Sequence, residues 1–362
     1  MCKARKVEKH LFLVFTNLKE PLRIGKASMI PGKYVRTEVK PFHGGYRLCI
    51  TYEDTFEAPA LPGCPRRLLG LDVGVGNFLA GLSNTGAEPI LIRGGYLKSL
   101  NQWFNKRRAE LVSSLAKGEP AGKSRPHSHA LDALSRDREN RIRDFFYKAA
   151  HWVMRWCTAH QIEVVVVGHN KEQKQEVELG RVNNQNFVSI PYTEFLSILK
   201  VVGARYGIPV VEREESYTSQ ASLLDGDPIP TYGQEGAEKA VFSGKRVSRG
   251  LYRASDGRTL NADVNGAGNI LRKEYPHAFD GVDLSYACGK VVSITGEALV
   301  QAKPRKQHTG SRRKKCGRGA KIRHRLRREK YSFYHSFWPD IRKQPAPKEG
   351  IKVTPEEGIG AM

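Results

Sequence analysis

Hydrophobic and polar residues alternate in the first part of the chain. Between residues 33 and 53, two alternating runs, KYVRTEVKP and YRLCITYE, flank the turn sequence FHGG. Alternation with a period of two is typical of strands with one buried face, and a Gly-Gly turn between two such runs indicates a β-hairpin. The proline-rich segment EAPALPGCP follows as a linker. We therefore predict a small β-rich domain at the N-terminus.

After this linker the pattern changes to that of an α/β domain. The segment RLLGLDVGVGNFLAGLSNTG predicts two closely joined strands, and EPILIRGG predicts a third. Residues 130–160 show helical spacing, IEVVVVGHN is a continuous apolar strand of a sheet covered on both faces, and a helix and a strand follow in IPYTEFLSILKVVGARYG and IPVVEREESYT. Three strands, followed by strands that alternate with helices, is the order of a ribonuclease-H-like mixed sheet flanked by helices.

The later part of the chain is less regular. Residues 219–260 are rich in Gly and Pro and show little periodicity, whereas NADVNGAGNILRKEY predicts a helix with Asn261 as its N-cap. Between Lys303 and Lys330 there are fourteen Lys and Arg residues and one acid, followed by the aromatic stretch YSFYHSFW. Such a segment is expected to be disordered until it meets phosphate groups.

Charge and composition narrow the class of partner. The 362-residue chain has a formal net charge of +23 at pH 7, which favours a polyanionic partner such as nucleic acid over a small-molecule substrate. An anionic membrane surface is the alternative, but no apolar run reaches the roughly 20 residues of a spanning helix. We expect no membrane association and a soluble, cytoplasmic protein that acts on nucleoid DNA. The six cysteines are scattered and none forms a C-x-x-C pair, so the sequence contains no zinc ribbon.

Two acids stand in apolar surroundings. Asp72 interrupts the predicted strand GLDVGVGN, and Asp263 falls in the first turn of a late helix, where the helix dipole favours its ionised form. An unpaired buried carboxylate costs roughly several kcal/mol, so Asp72 needs a partner. Mg²⁺ prefers carboxylate ligands, and two ions about 4 Å apart can activate a water and stabilise the leaving oxygen of a phosphodiester. Backbone N–H groups or an arginine are alternative partners for the Asp72 carboxylate. A dinucleotide-binding loop is an alternative interpretation of the segment GVGN, but the third glycine of that motif is absent here.

Four segments together resemble one family. GLDVGVGNFLAGLSNTG, NNQNFVSIP, SYTSQAS and NADVNGAGNIL occur in the order found in the TnpB family, also called OrfB-type transposases, and the resemblance covers roughly residues 33–275. These proteins are transposon-encoded, RNA-guided DNA endonucleases related to type V CRISPR effectors. The resemblance implies guide RNA and target DNA as partners and a RuvC nuclease site that uses Mg²⁺, as two ions, with Mn²⁺ as a substitute.

The resemblance also implies a domain organisation. Residues 1–66 would form a shortened, oligonucleotide-binding-like wedge domain, and 67–280 a RuvC-like nuclease domain of ribonuclease-H fold. That domain would contain a helical insertion at 96–161 and a loop insertion at 219–260, and 281–362 would be a basic, disordered tail. The stretch before Asp72 is shorter than in the family, which affects target recognition more than the cutting chemistry.

By this resemblance Asp72 matches the first RuvC acid, and Asp263 matches the acid of the D-x-N-x-A-x-N pattern. Most of the family carries a glutamate at the end of the fourth strand, where this chain has Gly168 and His169. A subset, like the eukaryotic Fanzor proteins, carries it three residues before a Thr-Ser pair, which is Glu215 here. Strand alternation separates Glu215 from Glu214, so either could face the site. We predict Glu215 as the third acid, with Glu214 as the alternative. If neither has a catalytic role, both are simply solvated acids at the end of a strand.

Two further expectations concern zinc and nucleic acid. The paired cysteines of the family are absent, so no zinc is expected, and 219–260 must hold itself by packing or be partly mobile. A guide–target duplex is held through its backbone, so arginines on a helix face suit it, and a basic tail adds sequence-independent affinity. The predicted nucleic-acid-binding residues are Arg138, Arg141 and Arg143 on the long helix, Lys171 and Lys174 after the fourth strand, Arg246 and Arg249 in the loop insertion, and Arg312, Arg313, Lys314 and Lys315 in the tail.

The sequence thus predicts Mg²⁺-dependent hydrolysis of DNA phosphodiesters with Asp72, Glu215 and Asp263 as metal ligands and no covalent enzyme intermediate. One alternative is a nuclease-dead or decayed RNA-guided DNA-binding protein. Another is a basic nuclease or RNA-binding protein that ignores guide sequence. The sequence leaves the guide RNA, the target-adjacent motif and the oligomeric state open.

Overall fold

The N-terminal part of the chain forms two separate antiparallel sheets. In the computed structural model, which describes residues 2–16, 18–30, 32–53, 59–117, 128–169, 190–234, 236–248 and 250–301, the first sheet contains β1 (Cys2–Val7), β2 (His10–Phe15) and β3 (Leu22–Lys26). The second is the predicted hairpin, β4 (Lys33–Phe42) and β5 (Gly45–Glu53). Both residues of its turn, His43 and Gly44, have positive φ, which glycine adopts readily. The individual strands of the first sheet were not predicted, although residues 1–66 were expected to be rich in β-structure.

The remaining elements follow in chain order. They are β6 (Leu68–Asp72), β7 (Asn77–Ser83), β8 (Ile90–Arg93), α1 (Gly95–Leu115), α2 (His129–Ala159), β9 (Val164–Gly168), α3 (Tyr192–Arg205), β10 (Val210–Arg213), β11 (Lys245–Ser248), β12 (Leu251–Arg253), β13 (Thr259–Asn261), α4 (Ala262–Glu274), β14 (Val292–Ile294) and α5 (Gly296–Val300), with 3₁₀ turns at Ala27–Met29, Ala237–Lys239 and Leu284–Cys288.

A six-stranded mixed sheet forms the centre of the fold. Its strand order is β10-β9-β6-β7-β8-β14. Strands β6, β9 and β10 run parallel, whereas β7 is antiparallel to both of its neighbours, and β14 is parallel to β8. The predicted class, a mixed α/β fold with a mixed sheet and helices, is therefore confirmed.

Alternating residues of the central strands are buried on opposite faces of the sheet. Leu69 and Val165 pack with residues of α1, α2 and α3, while Leu68 and Val164 pack against α4. This two-sided burial explains why β9 reads as a continuous apolar run without alternation. Gly70 faces α4, and a Cβ at this position would lie 2.1 Å from the Ala267 carbonyl oxygen. Glycine thus allows the N-terminal half of α4 to approach strand β6 closely.

Several short elements were missed or misplaced by the sequence prediction. Residues 219–260 contain β11 and β12, which form a small antiparallel sheet with β13, although strands of three or four residues are too short to show periodicity. The beginning of the predicted disordered tail is ordered, because Val292 and Ile294 of β14 add to the edge of the central sheet beside β8. The remainder of that tail lies outside the described residues.

The 219–260 region is held by a network of serines and aspartates, which we call the serine–aspartate network: Ser222, Asp225, Asp227, Ser243 and Ser255. Asp227 is 4% exposed and accepts hydrogen bonds from Ser222 N at 2.8 Å, Ser243 N at 3.0 Å and Ser243 Oγ at 2.6 Å. Asp225 accepts from Ser222 Oγ, Ser255 N and Ser255 Oγ. The bonds from Ser243 and Ser255 join segments 16 and 30 residues apart in the chain, so hydrogen bonds as well as apolar packing hold this region.

None of the helices in the described part of the chain is long and apolar enough to cross a membrane.

Candidate active site

The three predicted acids lie at one edge of the central sheet. Asp72 ends β6, Glu215 follows the end of β10 by two residues, and Asp263 is the second residue of α4. Because β6, β9 and β10 are parallel, their carboxyl ends meet at the same edge. Alternation along β6 places Asp72 on the face covered by α4. Asn261 caps this helix by accepting hydrogen bonds from Asp263 N and Val264 N, which fixes the start of α4 beside Asp72.

Two glycines allow the acidic side chains to enter this edge. A Cβ at position 266 would lie 3.0 Å from Asp72 Oδ2, so the Asp72 carboxylate points at the first turns of α4. A Cβ at position 168 would lie 2.6 Å from Glu215 Oε2. The Glu215 carboxylate therefore occupies the space that a side chain at the end of β9 would fill. The carboxylate thus reaches the carboxyl end of β9 from the segment that follows β10.

The electrostatics of the site are unfavourable for ionised carboxylates. Burial raises the pKa of Asp72 to about 8, and the negative charges of Glu215 and Asp263 contribute to the rise. Burial likewise raises the pKa of Glu215 to about 7, with the charge of Glu214 adding to the effect and Lys273 opposing it. Nearby like charges and loss of water both disfavour ionisation. A bound cation would favour the ionised carboxylates and so lower the pKa values of Asp72 and Glu215.

Glu214 and Glu215 have different partners. Glu214 forms a short ion pair with Lys273, whose side chain is only 4% exposed, and accepts a 2.6 Å hydrogen bond from Ser216 N. Burial opposes ionisation, but these contacts outweigh it and hold the pKa of Glu214 below its usual value. The structure therefore places Glu215 at the site and Glu214 against α4. The alternation argument did not apply, because β10 ends at Arg213 and both acids lie beyond it.

Asp263 is held by two donors. Asn77 Nδ2 donates to Asp263 Oδ2 at 2.7 Å, and Arg246 Nη2 lies 3.4 Å from Oδ1. No sequence pattern pointed to the contact between Asn77 and Asp263, because the two residues are far apart in the chain. Lys273 was missed for the same reason.

The chemistry of the three carboxylates indicates whether a metal ion could bind here. Among the residues that the structure describes, no three His, Cys, Asp or Glu side chains stand close enough together to bind one ion. Three carboxylates at one partly buried edge, two of them with raised pKa values, are nevertheless the oxygen donors that Mg²⁺ prefers. Their role as metal ligands stays a prediction.

The predicted nucleic-acid-binding arginines of α2 have different neighbours. Arg138 donates to Asn101 Oδ1 at 2.9 Å and lies over the Phe104 ring, and Arg141 pairs with Asp137 and lies over Trp103. Arg143 instead pairs with Glu194 of α3 at 3.4 Å. These three arginines therefore contact α1 and α3 on different sides of α2. Lys171, Lys174, Arg249, Arg312, Arg313, Lys314 and Lys315 lie outside the described residues.

His169 directly follows β9. Its Nδ1 lies 3.5 Å from Glu212 Oε2, and Glu212 also pairs with Lys200 of α3 at 2.9 Å. This places His169 in an ion-pair group on the α3 side of β10.

Two family models match the chain. OrfB_IS605, described as a probable transposase, matches residues 52–174, and the Cas12f1-like TNB domain matches residues 192–270. The family resemblance predicted from the sequence, to TnpB and OrfB-type proteins, is confirmed by these matches. The two matched ranges together contain Asp72, Glu215 and Asp263.

Two similar solved structures are complexes. The cryo-EM structure of the Cas12f1–sgRNA–target DNA complex is 18% identical, covers 70% of this chain and 58% of its own, and gives a TM-score of 0.39. The cryo-EM structure of a CRISPR-Cas12f ternary complex is 19% identical, with coverages of 62% and 41% and a TM-score of 0.39. This chain thus spans 58% and 41% of the length of these two proteins. No curated protein matches it.

Proposed function

We propose that this OrfB-type, TnpB-like chain is an RNA-guided DNA endonuclease of a transposable element that hydrolyses phosphodiesters with Mg²⁺. The single observation that carries the proposal is the meeting of Asp72, Glu215 and Asp263 at one sheet edge, where burial and mutual repulsion raise the pKa of Asp72 to about 8. Carboxylates whose pKa values are strongly raised by burial and by neighbouring like charges are candidates for a functional site. The two matched family models support the same reading.

The sheet topology supports a ribonuclease-H-like, RuvC-type domain. In the order β10-β9-β6-β7-β8, three parallel strands are followed by an antiparallel hairpin pair, with helices on both faces. The sequence predicted the order of the elements along the chain, three strands followed by strands that alternate with helices, and not this spatial order. The N-terminal sheets would correspond to the wedge domain, and residues 67–280 to the nuclease domain.

The three acids are held by different contacts, and together they would bind the metal ion. Asp72, Glu215 and Asp263 would hold Mg²⁺, which when bound supplies an activated water and stabilises the leaving oxygen. The carboxylate of Asp263 is oriented by Asn77 and by its place in the first turn of α4. Glu214 and Lys273 anchor the turn that carries Glu215. The half-buried edge limits competing water, which strengthens every charge interaction there.

Guide RNA and target DNA are the proposed partners. The net charge of +23 favours polyanions, and the solved Cas12f1 complex contains sgRNA and target DNA. The region of 192–270 that matches the TNB domain includes Arg246, whose guanidinium lies beside Asp263.

The test is reconstituted cleavage. The full chain, purified with the structured RNA encoded at its element's end, is expected to cut a matched supercoiled plasmid in Mg²⁺ and to leave an unmatched plasmid intact. Asp72→Asn, which preserves side-chain shape, is expected to abolish cutting while binding persists. Tight guided binding without cutting by the wild type would indicate an RNA-guided DNA-binding protein instead. Cutting of both plasmids would indicate a guide-independent nuclease. Either result overturns the proposal.

A further inference from the structure

A buried amide is directed at one of the three acids. Asn77, the first residue of β7, is only 8% exposed, and its Nδ2 donates to Asp263 Oδ2 at 2.7 Å. A buried amide needs partners for both of its ends. The proposed cleavage chemistry does not by itself require this residue, so its partners need a separate explanation.

The other end of the amide is fixed by an arginine. Arg93 Nη1 donates to Asn77 Oδ1 at 2.9 Å, and Arg93 Nε donates to Ser293 Oγ at 2.9 Å. A guanidinium can only donate, so it selects the carbonyl oxygen of Asn77 and leaves the NH₂ group for the carboxylate. Arg93 thus donates both to Ser293 and to Asn77, and Asn77 in turn donates to Asp263.

The backbone around Asn77 is also tightly held. Asn77 pairs with Arg93 across β7 and β8, with a register irregularity before Leu79. Gly94 N donates to the Gly76 carbonyl oxygen at 3.1 Å, and a Cβ at position 94 would lie 2.4 Å from the Val75 carbonyl oxygen. The loop between β6 and β7 therefore packs directly on Gly94, which restricts where the Asn77 side chain can lie.

We propose that Asn77 is a positioning residue for Asp263, oriented in turn by Arg93; the inference rests on the proposed metal-dependent function. The hydrogen bond to Oδ2 stops the Asp263 carboxylate from rotating about its Cβ–Cγ bond. Oδ1 is left to the half-exposed Arg246, whose 3.4 Å contact is weaker and can be exchanged for a cation. Partners that orient a metal ligand typically contribute 10- to 100-fold to metal affinity.

The test measures metal binding directly. Binding of Mn²⁺ to the full chain is followed by electron paramagnetic resonance of the free ion, and the Mg²⁺ concentration for half-maximal guided cleavage is measured alongside. Asn77→Ala is expected to weaken both by roughly 10- to 100-fold. Cleavage at saturating Mg²⁺ is expected to recover most of the wild-type rate, since Asn77 does not touch the reacting atoms.

Two further variants separate positioning from folding. Asn269→Ala removes another buried amide, on α4, that donates to the Thr218 and Ala221 carbonyl oxygens, so it is expected to lower the melting temperature without changing Mn²⁺ affinity. Arg93→Ala changes an exposed residue and is expected to weaken Mn²⁺ binding by roughly 3- to 10-fold, with Arg93→Lys restoring part of the affinity. It replaces Asn77→Ala as the test if that variant does not fold.

The outcomes are distinguishable. Wild-type Mn²⁺ binding with unchanged affinity in Asn77→Ala, or in Arg93→Ala where the first variant does not fold, would overturn the positioning role alone. Absence of Mn²⁺ binding in the wild type would overturn the proposed metal site and the positioning role with it.

Discussion

Two groups of acids in this protein contain members with opposite pKa shifts. In the serine–aspartate network, every carboxylate oxygen of Asp225 and Asp227 accepts a hydrogen bond from a serine backbone N–H or hydroxyl. Partial burial opposes ionisation of Asp225, but the hydrogen bonds outweigh it and lower its pKa. At the sheet edge, the pKa values of Asp72 and Glu215 are instead raised.

The difference shows what each group contributes. Satisfied carboxylates join distant segments and stabilise the fold. Carboxylates left to repel one another reduce stability, and such a cost is tolerated at functional sites. The chain thus stabilises the ionised form of Asp225 in the serine–aspartate network, but not that of Asp72 and Glu215 at the sheet edge. We interpret the sheet edge as a site where a bound cation would compensate the charges of these carboxylates.

The largest expected effect distinguishes the two neighbouring glutamates. Glu215→Gln is expected to reduce the rate of guided plasmid cleavage by at least about 1,000-fold, or about 4 kcal/mol of barrier, because it removes a ligand. Glu214→Gln, the matched control, is expected to stay within about tenfold, since Glu214 pairs with Lys273. Single-turnover cleavage measures both. A severe loss in Glu214→Gln with activity retained in Glu215→Gln would reverse the assignment.

The next effect concerns stability and pH in metal-free buffer. The pKa of Asp72 is raised from 3.8 to about 8 on folding. The folded state thus binds this proton more tightly than the unfolded chain, and the associated stability, fully present below about pH 4, is lost as pH rises towards 8. Asp72→Asn removes this loss and is expected to be more stable than the wild type by about 2 kcal/mol at pH 8.

Urea denaturation from pH 5 to pH 8 measures this difference. Asp256→Asn is the control, because a hydrogen bond from the Arg258 backbone lowers the pKa of Asp256 and the same substitution should bring no gain as pH rises. Equal stability of Asp72→Asn and wild type at every pH would show that the carboxylate is compensated within the protein.

A smaller effect is expected in the serine–aspartate network. Asp227→Ala leaves the buried Ser222 N–H, and the N–H and hydroxyl of Ser243, without this acceptor and is expected to lower the free energy of unfolding by about 2 kcal/mol. Asp280→Ala, at an exposed position, should change it by less than about 0.5 kcal/mol. In the Asp72→Asn background, in which the proposed cation site at the sheet edge is disabled, a chelator should leave the melting temperature unchanged. A large chelator effect together with a neutral Asp227→Ala would show that a metal holds this region.

The smallest effect is predicted for Arg246. Its contact with Asp263 is 3.4 Å long and its side chain is 48% exposed, so Arg246→Gln should change the free energy of unfolding by less than about 1 kcal/mol. The same denaturation experiment measures it. A change larger than that of Asp227→Ala would contradict the contrast between a weak surface pair and the buried network.

Sequence patterns predicted the long elements well and the contacts between them poorly. The apolar runs of β6 and β9 and the helical spacing of α2 are long enough to be recognised, and Asn261 correctly marked the start of α4. Strands β11–β13 were missed because they are only three or four residues long. The positions of Asp72 and Asp263 followed from motifs.

The choice between Glu214 and Glu215 could not be made physically from the sequence. It depends on Lys273, about 60 residues away, and on the end of β10 at Arg213. The orientation of Asp263 likewise depends on Asn77, almost 190 residues earlier. Such partners are brought together only by the strand order of the sheet. Local propensity therefore identifies candidate acids, and tertiary packing decides which of them meet.

The most direct measurement is a crystal structure of the full chain grown with Mn²⁺ and examined by anomalous diffraction. We expect a manganese peak at the carboxyl edge of β6, in contact with carboxylate oxygens of Asp72, Glu215 and Asp263. A map without a peak at this edge, with manganese bound elsewhere or not at all, would contradict the shared cation on which the proposed nuclease chemistry rests.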